Sequence, residues 1–227
     1  MTIQTSQEAS TKSSPDVPVS IVDDVYTYPN RMGRIVLTAM SEIVGLHGVR
    51  ATLNLAGLSR LVDNFPPNNL EPGFTFAELA SIQLALEEIF GVRGGRALAQ
   101  RTGRETFKYA QKDFMPLLGI ADLAFRPLHL GLKIRIGLEV FAETFNKFTD
   151  QKVRLADDGA RHLWIIERCP VCWRRETSSP CCHLAVGLLE ESLHWVSNGR
   201  HFSVREIECK ATNNENCVIA IHKKPTS

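Results

Sequence analysis

FSVREIECKATNNENCVIAIH (residues 202–222) alternates apolar and polar side chains on either side of a loop of Asn and Glu, the pattern of two β-strands folded back on each other. Cys209 falls where the first strand ends and Cys217 where the second begins, so the turn brings both sulfurs toward one point. Two thiolates set that way are half of a tetrahedral metal site. Glu206 lies three residues before Cys209, on the opposite face of an ideal strand, and sharing an ion with it requires a twist or bulge at the strand end. A fourth ligand comes most naturally from PCCH (residues 180–183), because a helix N-terminus favours a thiolate.

Working outward, PCCHLAVGLLEESLHWVSNG (residues 180–199) has helical spacing, with Leu184, Leu188, Leu189, Leu193 and Val196 on one side and Asn198-Gly199 closing it. KVRLADDGARHLWIIER (residues 152–168) reads as a hairpin around the Asp158-Gly159 turn. The chain before residue 150 reads as helices. Ile35, Val36, Met40, Ile43 and Val44 recur at helical spacing, with Gly45 and Gly48 as a stop, and a second helix runs from Thr52 to Val62 before NFPPNN. In TFAELASIQLALEEIFG (residues 75–91), Thr75 is an N-cap with Glu78 as its capping-box partner, and Gly91 ends the helix. Another helix follows the Gly94-Gly95 turn. A fifth spans Pro127 to Phe148 with Leu128, Leu132, Ile136, Val140 and Phe141 inward. Helices, then a hairpin, a helix and a second hairpin predict an α+β fold with N-terminal helices packed on an antiparallel sheet.

The 227 residues are 44% hydrophobic and 22% charged, enough to bury a core, and the formal net charge of +1 supplies no global field for nucleic acid. No segment has the uninterrupted apolar length of a membrane span. Residues 1–20, rich in Ser, Thr, Gln and Pro and without a signal-peptide core, read as a disordered arm of a cytoplasmic protein. Residues 21–227 then form one domain, helical to about 150 and cysteine-bearing beyond it. All six cysteines lie between positions 169 and 217, and in a reducing compartment such clustering favours metal binding or thiol chemistry over disulfides.

The cysteine five residues before a glycine (Cys182 to Gly187), followed by E-x-x-C-x(7)-C (Glu206, Cys209, Cys217), resembles the 4-vinyl reductase domain, densest over residues 165 to 223. That family includes sensor domains of phenol- and xylene-responsive activators and a bacteriochlorophyll-biosynthesis protein, and its fold is similar to a Golgi vesicle-tethering subunit. The resemblance implies a homodimeric α+β ligand-binding domain, one zinc held by Cys182, Glu206, Cys209 and Cys217, and an apolar cavity. Carried over from the aromatic-sensing relatives, the pocket positions are Val186, Val204 and Ile219, and Trp164 on the preceding strand adds a stacking wall. Two departures stand out: Glu215-Asn216 replaces the family's Gly-Asp, and Cys169, Cys172 and Cys181 are extra.

CPVC (Cys169, Cys172) keeps other arrangements open, either an all-thiolate site with Cys209 and Cys217 or a redox pair. Cys181 also fits a buried free thiol. Catalysis finds little support: GVRGGR (residues 91–96) lacks the spaced glycine fingerprint, and Glu87-Glu88, Glu190-Glu191 and the Arg93, Arg96, Arg101 and Arg104 set read as solvated helical charges. The expected function is a zinc-stabilised protein that senses or carries a small hydrophobic molecule, aromatic or tetrapyrrole-like, signalling through a protein partner. The alternatives are an accessory factor or enzyme in tetrapyrrole vinyl reduction and a scaffold subunit.

Overall fold

The computed structural model describes residues 25–118 and 128–226, so the expected N-terminal arm lies outside the described residues. A short strand β1 (Thr27–Pro29) leads into α1 (Asn30–Leu55); β2 (Pro72–Thr75) pairs antiparallel with β1 and leads into α2 (Phe76–Leu118). After α3 (Leu130–Phe148) come β3 (Lys152–Asp157), β4 (Arg161–Arg168), α4 (His183–Val196), β5 (Phe202–Glu208) and β6 (Cys217–Pro225). Strands β3 to β6 form one antiparallel sheet in the order β3-β4-β6-β5, so both expected hairpins form and β6 joins them. No helix of the described residues is long and apolar enough to cross a membrane.

Of the glycines read as helix stops, Gly45 and Gly91 act as breaks and Gly48 lies inside α1. Gly45 (φ 71°) and Gly91 (φ 72°) sit in a region that disfavours other residues, yet α1 and α2 resume immediately after each. The second helix expected from Thr52 is therefore the tail of α1, ending at Leu55, with a separate 3-10 turn at Ser59–Leu61. Gly94 and Gly95 make no turn; Gly95 packs against the backbone of Glu87 inside α2. The capping box forms as read: Thr75 N donates to Glu78 Oε2 at 2.7 Å, and Glu78 N to Thr75 Oγ1 at 3.1 Å.

The inward face of α3 is Ile134, Leu138, Ala142, Thr144 and Phe145, rotated from the expected stripe. Of the expected stripe, Phe141 packs against the core, while Leu132, Ile136 and Val140 are half-buried and Ile134 and Leu138 face inward instead. The core joins α1, α2, α3 and α4 to one face of the sheet, around Met40, Leu53, Phe76, Leu79, Trp164, Leu189 and Ile219.

The tightest joint is between α2 and α4. A Cβ on Gly103 would lie 2.1 Å from the Leu184 carbonyl oxygen, and one on Gly187 would lie 1.8 Å from that of Gln100. Only residues without a side chain allow this approach. Gln100 and Arg104 of α2 also donate to Glu190 of α4, both at 2.9 Å, so these groups are joined rather than solvated as expected.

Candidate functional site

Sulfurs converge from four segments. Cys169 and Cys172 follow β4 in a turn closed by Arg175 N donating to the Cys172 carbonyl at 3.0 Å, with Arg174 in the left-handed region (φ 54°). Cys182 is the residue before α4, and Val186 N donates back to its carbonyl at 3.1 Å. Cys209 ends β5, where its carbonyl accepts from Thr212 N, Thr212 Oγ1 and Asn214 Nδ2 in a 3-10 turn that returns the chain to Cys217 at the start of β6. Thr177 N bonds to the Ala211 carbonyl at 2.8 Å, fastening the CPVC segment to that turn.

The required bulge is present. The β5–β6 register slips between Glu206 and Glu208, and this rotates Glu206 to the side occupied by Cys209. Glu206 is buried; its Oε2 accepts from Cys182 N at 2.7 Å, and its Oε1 has no hydrogen-bond partner.

All six cysteines are free and buried. Sulfur separations are 3.5 Å for Cys169–Cys182, 3.4 Å for Cys172–Cys217, and 3.8 Å for both Cys182–Cys209 and Cys182–Cys217. Cys217–Cys209 is 4.0 Å and Cys181–Cys209 is 3.9 Å. Two quartets each keep their donor atoms within 4.8 Å of one another: Cys182, Glu206, Cys209 and Cys217, and Cys169, Cys172, Cys182 and Cys217. The first is the set the resemblance implied; the second brings in the CPVC pair, with Cys182 where the sequence reading had placed Cys209.

Such crowding perturbs protonation. Hydrogen bonds from neighbouring thiols, Cys172 foremost, hold Cys209 far below the ordinary thiol range. Burial, and then the neighbouring Cys209, push the Glu206 carboxyl up to about 9. Cys181 stands at about 12: the bond from Cys182 lowers it, and the bond to Cys209 together with burial outweighs that. A cation among these donors would replace protons the pocket otherwise retains.

Behind the cluster, the buried Arg175 donates through Nη2 to Glu87 Oε1 at 2.9 Å, and Arg96 Nη1 donates to Ser179 Oγ at 2.7 Å. Glu87 and Arg96, expected to be solvated, are instead mostly buried and paired across α2.

A separate cavity of about 90 Å³ opens beneath, between α1, α2, α3, α4 and β4. Met32, Val36, Phe107, Phe141, Phe145, Trp164, Leu184, Ala185 and Leu188 line it. Its polar groups are largely occupied: Tyr28 Oη donates to Gln151 Oε1, and the hydroxyls of Thr106 and Thr144 donate to the Thr102 and Val140 carbonyls of their own helices. Burial raises the Tyr28 phenol well above its ordinary value, keeping it neutral. Trp164 meets Phe141 at a tilt of 42° with centroids 5.5 Å apart and Phe145 edge-on at 6.2 Å. Of the pocket residues read from the sequence, Trp164 lines this space. Val186 and Ile219 are buried elsewhere in the core, and Val204 is half-buried on β5. The sequence reading placed Ile35, Val36 and Phe141 on apolar helix faces and did not identify them as cavity lining.

No family model matches this sequence, and no curated protein matches it. Solved structures do. An H-NOX double variant from Tt is similar at TM-score 0.52 and 15% identity, covering 88% of this chain and 97% of its own. A structure described as probing heme distortion in the H-NOX family gives the same figures. The Fe(II) unliganded H-NOX protein from K. algicida gives TM-score 0.51 and 13% identity over 88% and 97%. These likenesses correct the resemblance to 4-vinyl reductase: a motif confined to one helix start and one hairpin constrained the local geometry and left the helical layout free. The expectation of zinc falls with it, since the solved structures are described by heme and Fe(II), and two overlapping quartets of donors select no particular ion. What the comparisons establish is architecture: this chain has the α+β fold of the H-NOX structures.

Proposed function

We propose that this protein is a sensor-type binding domain for a small apolar molecule, held in the cavity beside Trp164, with the thiols and Glu206 forming a metal-holding clamp. The carrying observation is a partly open space walled by aliphatic and aromatic side chains, with the Tyr28, Thr106 and Thr144 hydroxyls engaged by the protein. Such a wall offers a ligand dispersion and exclusion of water and little hydrogen bonding. The ligand class is a molecule of single-ring size at most, since a dry apolar cavity of about 150 Å³ accommodates benzene and this one holds about 90 Å³.

The fold's solved relatives raise heme, and the residues here do not fit it. The cavity of about 90 Å³ is far below the room a porphyrin requires, and among the described residues neither a histidine nor a cysteine lines it. Met32 and Tyr28 are the lining side chains of axial-ligand type, and the Tyr28 hydroxyl is spent on Gln151. The tetrapyrrole reading of the ligand is therefore set aside in favour of a smaller one.

For the metal clamp, Cys182, Glu206, Cys209 and Cys217 are the proposed donors. Support comes from their convergence within 4.8 Å and from the β5 bulge that delivers Glu206. Titrating the protein with benzene while recording two-dimensional amide NMR spectra tests the ligand reading. Saturable shifts confined to residues around Trp164, Phe141 and Leu188 are expected. Shifts absent at the solubility limit of benzene, or a Soret band of coordinated iron formed with added hemin, would overturn it.

A further inference from the structure

The two donor quartets share Cys182 and Cys217. One four-coordinate ion cannot use all six groups. If it takes Cys182, Glu206, Cys209 and Cys217, then Cys169 and Cys172 remain buried within 3.5 Å and 3.4 Å of sulfurs already bound to it. If it takes the CPVC quartet, Cys209 and the buried Glu206 are stranded in the same way, and Glu206 Oε1 already lacks a partner.

We propose that the cluster holds two thiophilic divalent metal ions bridged by the thiolates of Cys182 and Cys217. Cys169 and Cys172 complete one ion; Cys209 and Glu206 complete the other. This rests on the reading of the cluster as a metal clamp and deepens it.

Distances support the arrangement. A metal–thiolate bond of about 2.3 Å sets the edge of a tetrahedron of sulfurs near 3.8 Å. The bridging pair is 3.8 Å apart, and the edges from it to Cys209 are 3.8 and 4.0 Å. The edges to Cys169 and Cys172, 3.5 and 3.4 Å, are slightly shorter. An iron–sulfur cluster is the wrong shape, because inorganic sulfide between the irons spreads the protein thiolates wider than a single ion does. Lys210 N donates to Cys217 Sγ at 3.3 Å, a bond that suits a sulfur carrying negative charge. Each thiol gives its proton to solvent on binding, and no electron is transferred. Two divalent ions against five thiolates and one carboxylate leave two net negative charges. The buried Arg175, whose Nε and Nη1 have no hydrogen-bond partner among the described residues, stands near Cys181 and Cys182 to offset part of that charge.

The experiment is titration of the reduced, chelator-stripped full chain with cobalt(II), followed by desalting, metal analysis and electron paramagnetic resonance. Two cobalt ions per chain are expected, with a resonance that grows to one equivalent and weakens toward the second as bridged ions couple. The Cys169→Ser/Cys172→Ser double variant should hold one ion without signal loss, and Cys181→Ser should still hold two. One ion in the parent chain overturns the pair and leaves the single clamp standing. Two ions with additive signals overturn the bridge. No bound ion overturns both readings. If the double variant fails to fold, the stoichiometry and coupling in the parent chain decide.

Discussion

The main-chain N–H of Cys182 donates to the Glu206 carboxylate at 2.7 Å, tying the first turn of α4 to the bulged end of β5. This bond fixes the Glu206 carboxylate against the backbone of Cys182, two residues of the proposed clamp. In chelator-treated protein, Glu206→Ala leaves that buried N–H unpaired. It should lower unfolding free energy by about 1–3 kcal/mol in urea denaturation.

Cys217→Ser, which removes a donor common to both quartets, should abolish bound metal by mass-spectrometric analysis, and Cys209→Ser should lose the ion held with Glu206. Each should lower stability by several kcal/mol, because a structural metal's binding energy is folding energy. Cys181→Ser should do neither, since Cys181 belongs to neither quartet. Chelation of the parent protein should lower its melting temperature and leave that of the Cys217 variant unchanged.

Gly187→Ala and Gly103→Ala each push a methyl group into a carbonyl oxygen of the facing helix. A loss of about 1–3 kcal/mol or more is expected in thermal denaturation followed by circular dichroism. Gly131→Ala, whose nearest neighbour would be the His129 ring at 3.8 Å, is the control and should cost little.

Cavity volume is adjustable from α4. Ala185→Leu should fill the space and abolish benzene shifts, whereas Leu188→Ala should enlarge it and strengthen binding while costing about 2–5 kcal/mol of stability.

Tyr28 gives a pH signature. Its folded-state proton affinity is raised by burial, so the contribution is fully present below the unfolded value of about 10 and is lost as pH rises beyond it. Alkaline unfolding should be steeper in the parent protein than in Tyr28→Phe. That variant should also be weaker at neutral pH by about 1–3 kcal/mol, because Gln151 Oε1 loses its donor.

Much of this was legible in the sequence where the signal is local. Strand alternation around Asp158-Gly159 and residues 202–222 gave both hairpins, and the Thr75–Glu78 box gave the start of α2. The spacing of Glu206 and Cys209 even required the bulge that exists. The cavity was not legible, because its walls come from segments more than a hundred residues apart, such as Met32 and Trp164, and no periodicity within one segment reports that meeting. Helix phase was off for α3, where Ile136 and Val140, read as inward, are half-buried and Ile134 and Leu138 are the buried positions, a choice set by packing partners on other elements. Glu87 looked solvated because its partner Arg175 is far along the chain.

Helix α4 presents Leu184, Ala185 and Leu188 to the cavity, while its preceding residue, Cys182, stands among the sulfurs. On the proposed reading, a guest that displaced this rod would change how tightly the sulfurs grip an ion. Linkage then makes the effect reciprocal, so the ion alters affinity for the guest by the same factor. Readings of guest occupancy made at different metal loadings would therefore describe different binding curves.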